Sequence, residues 1–272
     1  MLQAEKLKTY EPTKFRPGYA SVKRNGVHSI FDPFVGPYTR TPGPIRGVGH
    51  IIHALKSIKV PVVGELLIPG LDFEESSGRI RDHNETPEAH LYIFNIIADK
   101  AFRDRWLYFK NAYEIHLKDC PFIHLEPMAF IQHEETFDTF FKLQTEFFKE
   151  EGVCWISPHH IYQPGKRTWN WMKRVPYKSL EAKVIDILPG TKGKKYEHSM
   201  GRMLCELYEN EKHEKLEKPI QFKVGIFKGK TDAWRQKIMD NKEDYIGRWI
   251  TTEFKNYTKY GVPSQARYKS WR

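Results

Sequence analysis

Cysteine is scarce in this sequence, and long apolar runs are missing. The three cysteines among 272 residues, Cys120, Cys154 and Cys205, are widely spaced and odd in number. They cannot build a framework of disulfides, which predicts a reducing, intracellular setting. No apolar stretch approaches membrane-spanning length, and the mean hydropathy of -0.63 predicts no transmembrane helix. The polar segment 1–14 lacks the apolar stretch that a secretory signal carries. No internal repeat or low-complexity tract stands out. Acidic residues are in deficit: 34 Asp+Glu against 44 Lys+Arg leave a net charge of +10. A surplus of this size points to a polyanionic partner, because each Lys or Arg placed near a phosphate releases a condensed counterion. Charge alone does not define a site.

What is present describes a globular chain. Hydrophobic residues make up 40% and aromatics 14%, a composition that folds and is long enough for one large core or two modest ones. Residues 19–31 read as two short strands around Asn25-Gly26, a hairpin signal. A helix is expected at His50–Lys59, a buried strand at Val60–Ile68, and a further strand at Leu91–Ile97. Residues 74–89, with Ser76-Ser77-Gly78 and Pro87, read as a mobile loop. Arg103–Lys118 and Phe137–Glu150 carry aromatic stripes at helical spacing, both expected to be core. After Glu150 strands dominate, at Val153–Ser157, Ala182–Leu188, Met203–Tyr208, Phe222–Phe227 and Trp249–Tyr257, with one helix at Thr231–Asn241. Short strands with a single helix suit a small Greek-key barrel of the oligonucleotide-binding (OB) type. The expected fold is α+β, antiparallel sheets flanked by helices in residues 1–176 and a small OB-fold β-barrel in 177–272.

Several residues in order could carry chemistry. Lys23 ends a strand, just before Asn25-Gly26, and a lysine held in a cleft can act as a nucleophile once it sheds its proton. Taken alone it is one cation among many. Arg40 follows a short polar stretch. Glu65 is the one charged residue inside an apolar strand, Phe94 lies in the next strand, Glu151 precedes another, and Lys173 stands in Trp171-Met172-Lys173-Arg174. Two carboxylates, two cations and an aromatic face are what a nucleoside triphosphate requires. The Gly190–Lys195 loop is basic but does not have P-loop spacing. Cys154 with His159-His160 matches no common zinc site.

Lys23-Arg24-Asn25-Gly26 resembles the K-x-D-G nucleophile motif of covalent nucleotidyltransferases, and Thr39-Arg40-Thr41 the S-R-T element that follows it. Gly64-Glu65-Leu66 resembles D-G-E, and its continuation Leu71 to Gly78 is similar to ATP-dependent DNA ligases, especially small phage and viral ones. Tyr92-Ile93-Phe94-Asn95 resembles the purine-stacking strand, Glu151-Gly152-Val153 the E-G-V motif, and Met172-Lys173 the start of K-x-K. Tyr245-Ile246-Gly247-Arg248, Tyr257 and Arg272 resemble the end of the ligase barrel. The sequence departs from the pattern at Asn25 and Asn95, where acids are usual, at His28, where many DNA ligases have arginine, and at Val175, the second lysine position of K-x-K. It also ends before most of the C-terminal motif that orients pyrophosphate.

The resemblance implies a ligase that seals nicks in double-stranded DNA through a covalent lysyl-AMP intermediate, with an RNA ligase and a degenerate nucleic-acid-binding member as alternatives. Lys23 would be the catalytic nucleophile. Val22, Lys23, Arg40, Glu65, Phe94, Glu151, Cys154 and Lys173 would bind ATP or AMP. Glu65 and Glu151 would hold Mg2+ or Mn2+. Arg46, Arg174, Lys178, Lys192, Lys194, Lys195 and Arg272 are candidates for phosphate or DNA contacts. A monomer with no membrane association is expected.

Overall fold

Runs of β-branched and aromatic residues form most of the strands, and the strands assemble into three sheets of five. The computed structural model describes residues 3–41, 43–82, 84–209, 215–258 and 260–272. The chain divides into two units, Met1–Val175 and Pro176–Arg272. The first unit runs β1 (Lys8–Thr9), β2 (Gly18–Lys23), β3 (Val27–Asp32), β4 (Gly36–Thr39), α1 (Gly49–Ala54), β5 (Val62–Leu67), α2 (Phe73–Arg81) and β6 (His90–Ile96). It continues α3 (Phe102–His116), β7 (Ile123–Leu125), β8 (Ala129–Ile131), α4 (Glu134–Lys142), β9 (Gly152–Ile156) and β10 (Trp171–Arg174).

One sheet has the order β1-β10-β9-β2-β8 and the other β4-β3-β5-β6-β7. The sheets are mixed rather than purely antiparallel as expected, because β1 joins β10, and β7 joins β6, in parallel. Each parallel addition is a two- or three-residue edge strand, too short to leave a sequence pattern of its own.

The expected hairpin at Asn25-Gly26 is overturned. β2 pairs with β8 and β9, while β3 pairs with β4 and β5. Asn-Gly favours a turn but does not choose the partners. β3 is buried along nearly its whole length, so both its faces are covered, and it lies between β4 and β5 in its own sheet. Residues 24–26 are therefore a crossing between sheets. A Cβ on Gly26 would meet the Leu66 carbonyl oxygen at 2.6 Å, so glycine is needed for this close approach to β5.

The expected loop at 74–89 is also corrected, since α2 occupies its first half. Asp72 caps the helix by accepting a hydrogen bond from the Glu75 N–H at 2.8 Å. Glu74 and Glu75 lie in the first turn, and Arg79 and Arg81 in the last, both favourable to the helix dipole. Ser76, Ser77 and Ile80 are buried, and the Ser76 hydroxyl accepts from the Ile68 N–H. Capping and burial outweigh the weak helix propensity of Ser-Ser-Gly.

The stripe of α3 packs as expected, with Phe102, Trp106 and Phe109 buried. The second stripe is only half core. Phe137 is buried, but Phe147 and Phe148 are 73% and 56% exposed. A π-helical turn at Leu143–Phe147 follows α4 and turns the later phenylalanines off the packed face. The helix expected at His50–Lys59 is α only to Ala54 and then tightens into a 3-10 turn.

The second unit consists of β11 (Lys178–Pro189), β12 (Met200–Glu209), β13 (Lys215–Val224), α5 (Asp232–Asp240), β14 (Trp249–Phe254) and β15 (Arg267–Trp271). Its strand order is β13-β12-β11-β14-β15, with every pair antiparallel. Among the described residues the sheet is open; one parallel bridge, Ile226 to Arg267, links the segment after β13 to β15. Inward positions such as Ala182, Val184, Met203, Cys205, Phe222, Val224, Ile250 and Phe254 are buried and pack with Ile238 of α5. The strand β15 was not anticipated, because its Arg-Tyr-Lys-Ser-Trp sequence offers one buried residue, Tyr268.

Candidate active site

Strand alternation sends two rows of side chains into one cleft of the first unit. Along β2 the residues Tyr19, Ser21 and Lys23 share a face, and the register places Ser21 beside Cys154 and Lys173 beside Cys154 on the next strand. The opposite face of that sheet, with Ala20, Val153, Trp155 and Met172, is sealed in its own apolar cluster. From the second sheet come His28, Glu65 and Phe94, with His28 opposite Glu65 across the ladder. Phe94 stands two residues on from Tyr92, the residue opposite Glu65, and alternation brings it to the same face.

The cleft, about 560 Å³ with its open mouth included, is walled by Leu7, Ser21, Val22, Lys23, Arg24, His28, Arg40, Glu65, Phe94, Met128, Cys154, Ile156 and Trp171. Most of its wall is apolar, as in small-molecule sites. One wall is aromatic: the rings of Phe94 and Trp171 meet edge to face with centroids 6.0 Å apart. The charged groups gather at Lys23.

Lys23 is ion-paired and hydrogen-bonded to Glu151, and the two side chains are only 20% and 9% exposed. Burial pulls the Lys23 ammonium down, but the carboxylate of Glu151, with smaller contributions from Cys154 and Glu65, outweighs this and holds it above its ordinary value. Burial raises Glu65 from 4.5 to about 7 against the pull of Lys23 and Arg40, with Glu151 adding to the rise. The Gly26 N–H donates to the Glu65 carboxyl at 3.2 Å. The Cys154 thiol is pushed up to about 12 by burial, so it is neutral and does not compete with the amine as a nucleophile. His28 is pushed down to about 3 by burial, with Arg40 next, and is an uncharged imidazole.

Local sequence explains the placement of Glu151. Gly152 pairs with Lys23 across β9 and β2, and a Cβ there would lie 2.3 Å from the Arg174 carbonyl oxygen. Only glycine lets the end of β10 close on β9 just after Glu151.

Of the residues expected to bind a nucleotide, Val22, Lys23, Arg40, Glu65, Phe94 and Cys154 line this one cleft, and Glu151 bonds to Lys23. By alternation Val22 presents its main chain there rather than its side chain. Arg40 stands exposed at the rim. Lys173 lies on the cleft-facing side of β10, opposite Cys154.

Its neighbour Arg174 faces the other way, bonded to Asp138 and lying over the Phe141 ring. Arg46 is exposed ahead of α1. In the second unit, Lys178 lies over the Tyr257 ring, Lys192 and Lys194 are exposed, Lys195 pairs with Asp232 at 2.7 Å, and Arg272 pairs with Glu181. His160 is buried against Glu5 at 2.9 Å.

Sequence reading missed Leu7, Ser21, Met128, Ile156 and Trp171. Two-residue periodicity back from Lys23 and on from Cys154 would have found Ser21 and Ile156. Leu7 and Met128 leave no such signal. It also missed Arg24, which bonds Glu126 and Glu150 at 3.0 Å each and lies over the Tyr92 ring at 4.7 Å, fixing the crossing that follows the lysine.

No family profile and no curated protein matches the sequence. Solved structures do match. A Lig E DNA ligase, described as binding DNA with a minimal scaffold, is 20% identical over the whole of both chains with a TM-score of 0.79. Chlorella virus DNA ligase-adenylate is 19% identical, covering 100% of this chain and 98% of its own, at 0.56. The ATP-dependent DNA ligase of bacteriophage T7, solved in complex with ATP, is 16% identical over 98% of each chain, at 0.55. With mixed sheets flanked by helices and matches along its whole length, the chain has the fold of ATP-dependent DNA ligases.

Proposed function

We propose that the protein is an ATP-dependent DNA ligase that seals nicks in duplex DNA through an adenylate carried on Lys23. The observation that carries this reading is the setting of Lys23, a half-buried amine in an aromatic-walled cleft, flanked by Glu151, Glu65 and Arg40. The ligase fold of the whole chain supports it.

ATP enters with its base against Phe94 and its α-phosphate at Lys23. The Lys23 nitrogen forms a bond to the α-phosphorus while the bond to the β-phosphate oxygen breaks and pyrophosphate leaves. The lysine must first lose its proton, and Glu151 is the carboxylate hydrogen-bonded to it. A 5′-phosphate oxygen of the nick then takes the adenylyl group and the amine is regenerated. Finally the 3′-hydroxyl attacks the activated 5′-phosphorus and AMP departs. Arg40 at the rim and Lys173 on the cleft face are the cations that offset the phosphate charge.

Two carboxylates beside the lysine suit a metal that arrives with the triphosphate. Mg2+ keeps several waters and takes one or two carboxylates plus phosphate oxygens. Among the described residues no group of three His, Cys, Asp or Glu gathers to hold a metal alone, and Glu65 and Glu151 are the pair that would share one with ATP. When bound, such an ion neutralises charge on the phosphates.

The second unit is read as an OB-fold, in residues 177–272, after a nucleotidyltransferase domain in 1–176. Its strand order and the parallel bridge from Ile226 to Arg267 support that assignment. The net charge of +10 suits nicked DNA as partner, and binding through phosphates is independent of sequence and weakens with salt. No helix is long and apolar enough to cross a membrane among the described residues.

The test is incubation with ATP labelled at the α-phosphate, followed by a chase with nicked duplex. Label should attach to the protein, pass to DNA and appear as AMP, with nicked DNA preferred to nicked RNA. A folded Lys23→Ala protein should take no label. Labelling that survives this change would remove Lys23 from its role.

A further inference from the structure

Arg24, the residue after Lys23, bridges the two sheets of the first unit at the point where the chain crosses between them. Its Nε donates to the Glu126 carboxylate and its Nη1 to the Glu150 carboxylate, at 3.0 Å each. Glu126 follows β7, and its N–H donates to the Ile93 carbonyl oxygen of β6 at 2.8 Å. Glu150 stands directly before Glu151, ahead of β9 of the other sheet. Glu126 is 1% exposed, and its Oε1 has no hydrogen-bond partner among the described residues. A buried acid with one oxygen unpaired costs the fold stability, so packing alone does not account for the pair.

The clamp reaches both groups that hold the Lys23 amine. That amine donates to the Glu151 carboxylate and to the Arg24 main-chain oxygen, the second at a long 3.5 Å. Two of its hydrogens are thereby committed, and the direction left on nitrogen is the one open to a phosphorus in the cleft. A bond this long is lost with a small shift of the Arg24 peptide, and the Arg24 side chain anchors that peptide. Its bond to Glu150 anchors the residue next to Glu151 in the same way. We infer that Arg24 is a positioning residue for self-adenylation: by tying Glu126 to Glu150 it sets where the Lys23 amine points, without touching ATP. This rests on the reading of Lys23 as the nucleophile of a ligase. Arg24 lines the cleft, but two carboxylates and the Tyr92 ring 4.7 Å away already engage its guanidinium.

The test compares wild type with Arg24→Met, Arg24→Lys and the double change Arg24→Met with Glu126→Gln, all in the full chain. The double change removes the buried charge that methionine alone leaves unpaired, and so guards the fold. Two rates are measured: Lys23 labelling as a function of ATP concentration, and sealing of a nick whose 5′-phosphate already carries AMP. In the second reaction the 3′-hydroxyl is the nucleophile and the amine attacks nothing. Arg24→Met and the double variant should label Lys23 roughly 10- to 100-fold more slowly at saturating ATP, the cost of a misaimed reacting group. The half-saturating ATP concentration should stay the same, and the pre-adenylated nick should be sealed at the wild-type rate. Arg24→Lys, one point charge in place of a two-nitrogen fork, should recover part of the labelling rate.

A higher half-saturating ATP concentration with an unchanged maximal rate would mean that Arg24 binds the nucleotide, and would overturn the proposal. Equal slowing of labelling and of pre-adenylated sealing, or loss of the fold in both methionine variants, would reduce Arg24 to a structural residue and overturn it too. If the wild-type protein takes no label from ATP, the ligase reading fails and this inference with it. Normal wild-type labelling with equally fast labelling of the variants sinks this inference alone.

Discussion

Glu65 offers the sharpest quantitative test of the cleft. Its carboxyl ionises near 4.5 when unfolded and near about 7 in the folded protein, chiefly because burial penalises the charged form. Between those two values the folded state keeps a proton that the unfolded state has already lost. Stability therefore falls as pH rises through that window, and the full deficit is present above it. At 1.36 kcal/mol per pKa unit the deficit is roughly 3 kcal/mol. Glu65→Gln keeps the oxygen that accepts from Gly26 and cannot ionise. The empty variant should melt roughly 8 °C above wild type near pH 8, at about 2–4 °C per kcal/mol for a unit of this size. The gap should close toward pH 4. The assay is thermal unfolding of both proteins across pH in nucleotide-free buffer with a chelator. A gap that does not change with pH, or a variant that melts lower near pH 8, would refute the reasoning. The same change should impair labelling by ATP, which makes Glu65 a residue kept for binding at the expense of the empty fold.

Three further outcomes follow from the geometry. Phe94→Ala should weaken ATP binding by roughly tenfold or more, as loss of a stacking face costs about 1–3 kcal/mol, while the melting temperature changes far less than the affinity; titration calorimetry measures this. Gly152→Ala drives a Cβ to 2.3 Å from the Arg174 carbonyl oxygen, so it should destabilise the protein by about 1–3 kcal/mol and slow Lys23 labelling as Glu151 is displaced. Asp72→Ala removes the cap of α2 and should cost about 1 kcal/mol in denaturant unfolding, with little effect on labelling.

Much of the candidate site was legible as a linear order of short motifs, because each motif places one chemistry-bearing residue at a strand end or beside a glycine. Lys23, Glu65, Phe94 and Glu151 are readable in that way. The partners of the strands were not. Asn25-Gly26 gives the same local signal whether the chain folds back on itself or crosses to another sheet, and the pairing of β3 with β4 and β5 decides between them. The helix α2 shows the same limit in reverse, since its Asp72 cap is visible in the sequence but the burial of Ser76, Ser77 and Ile80 is not.

By itself, then, the sequence determined composition, charge, the strand-rich second half and the identity of the groups that could handle a triphosphate. These depend on side-chain chemistry and on neighbours a few residues apart. Tertiary structure alone decided that Lys23 meets Glu151 across 128 residues, that Leu7, Met128 and Trp171 complete the wall, and that His28 is buried without a hydrogen-bond partner among the described residues. Those facts depend on which strands lie side by side and how two sheets face each other, and packing over the whole unit sets both.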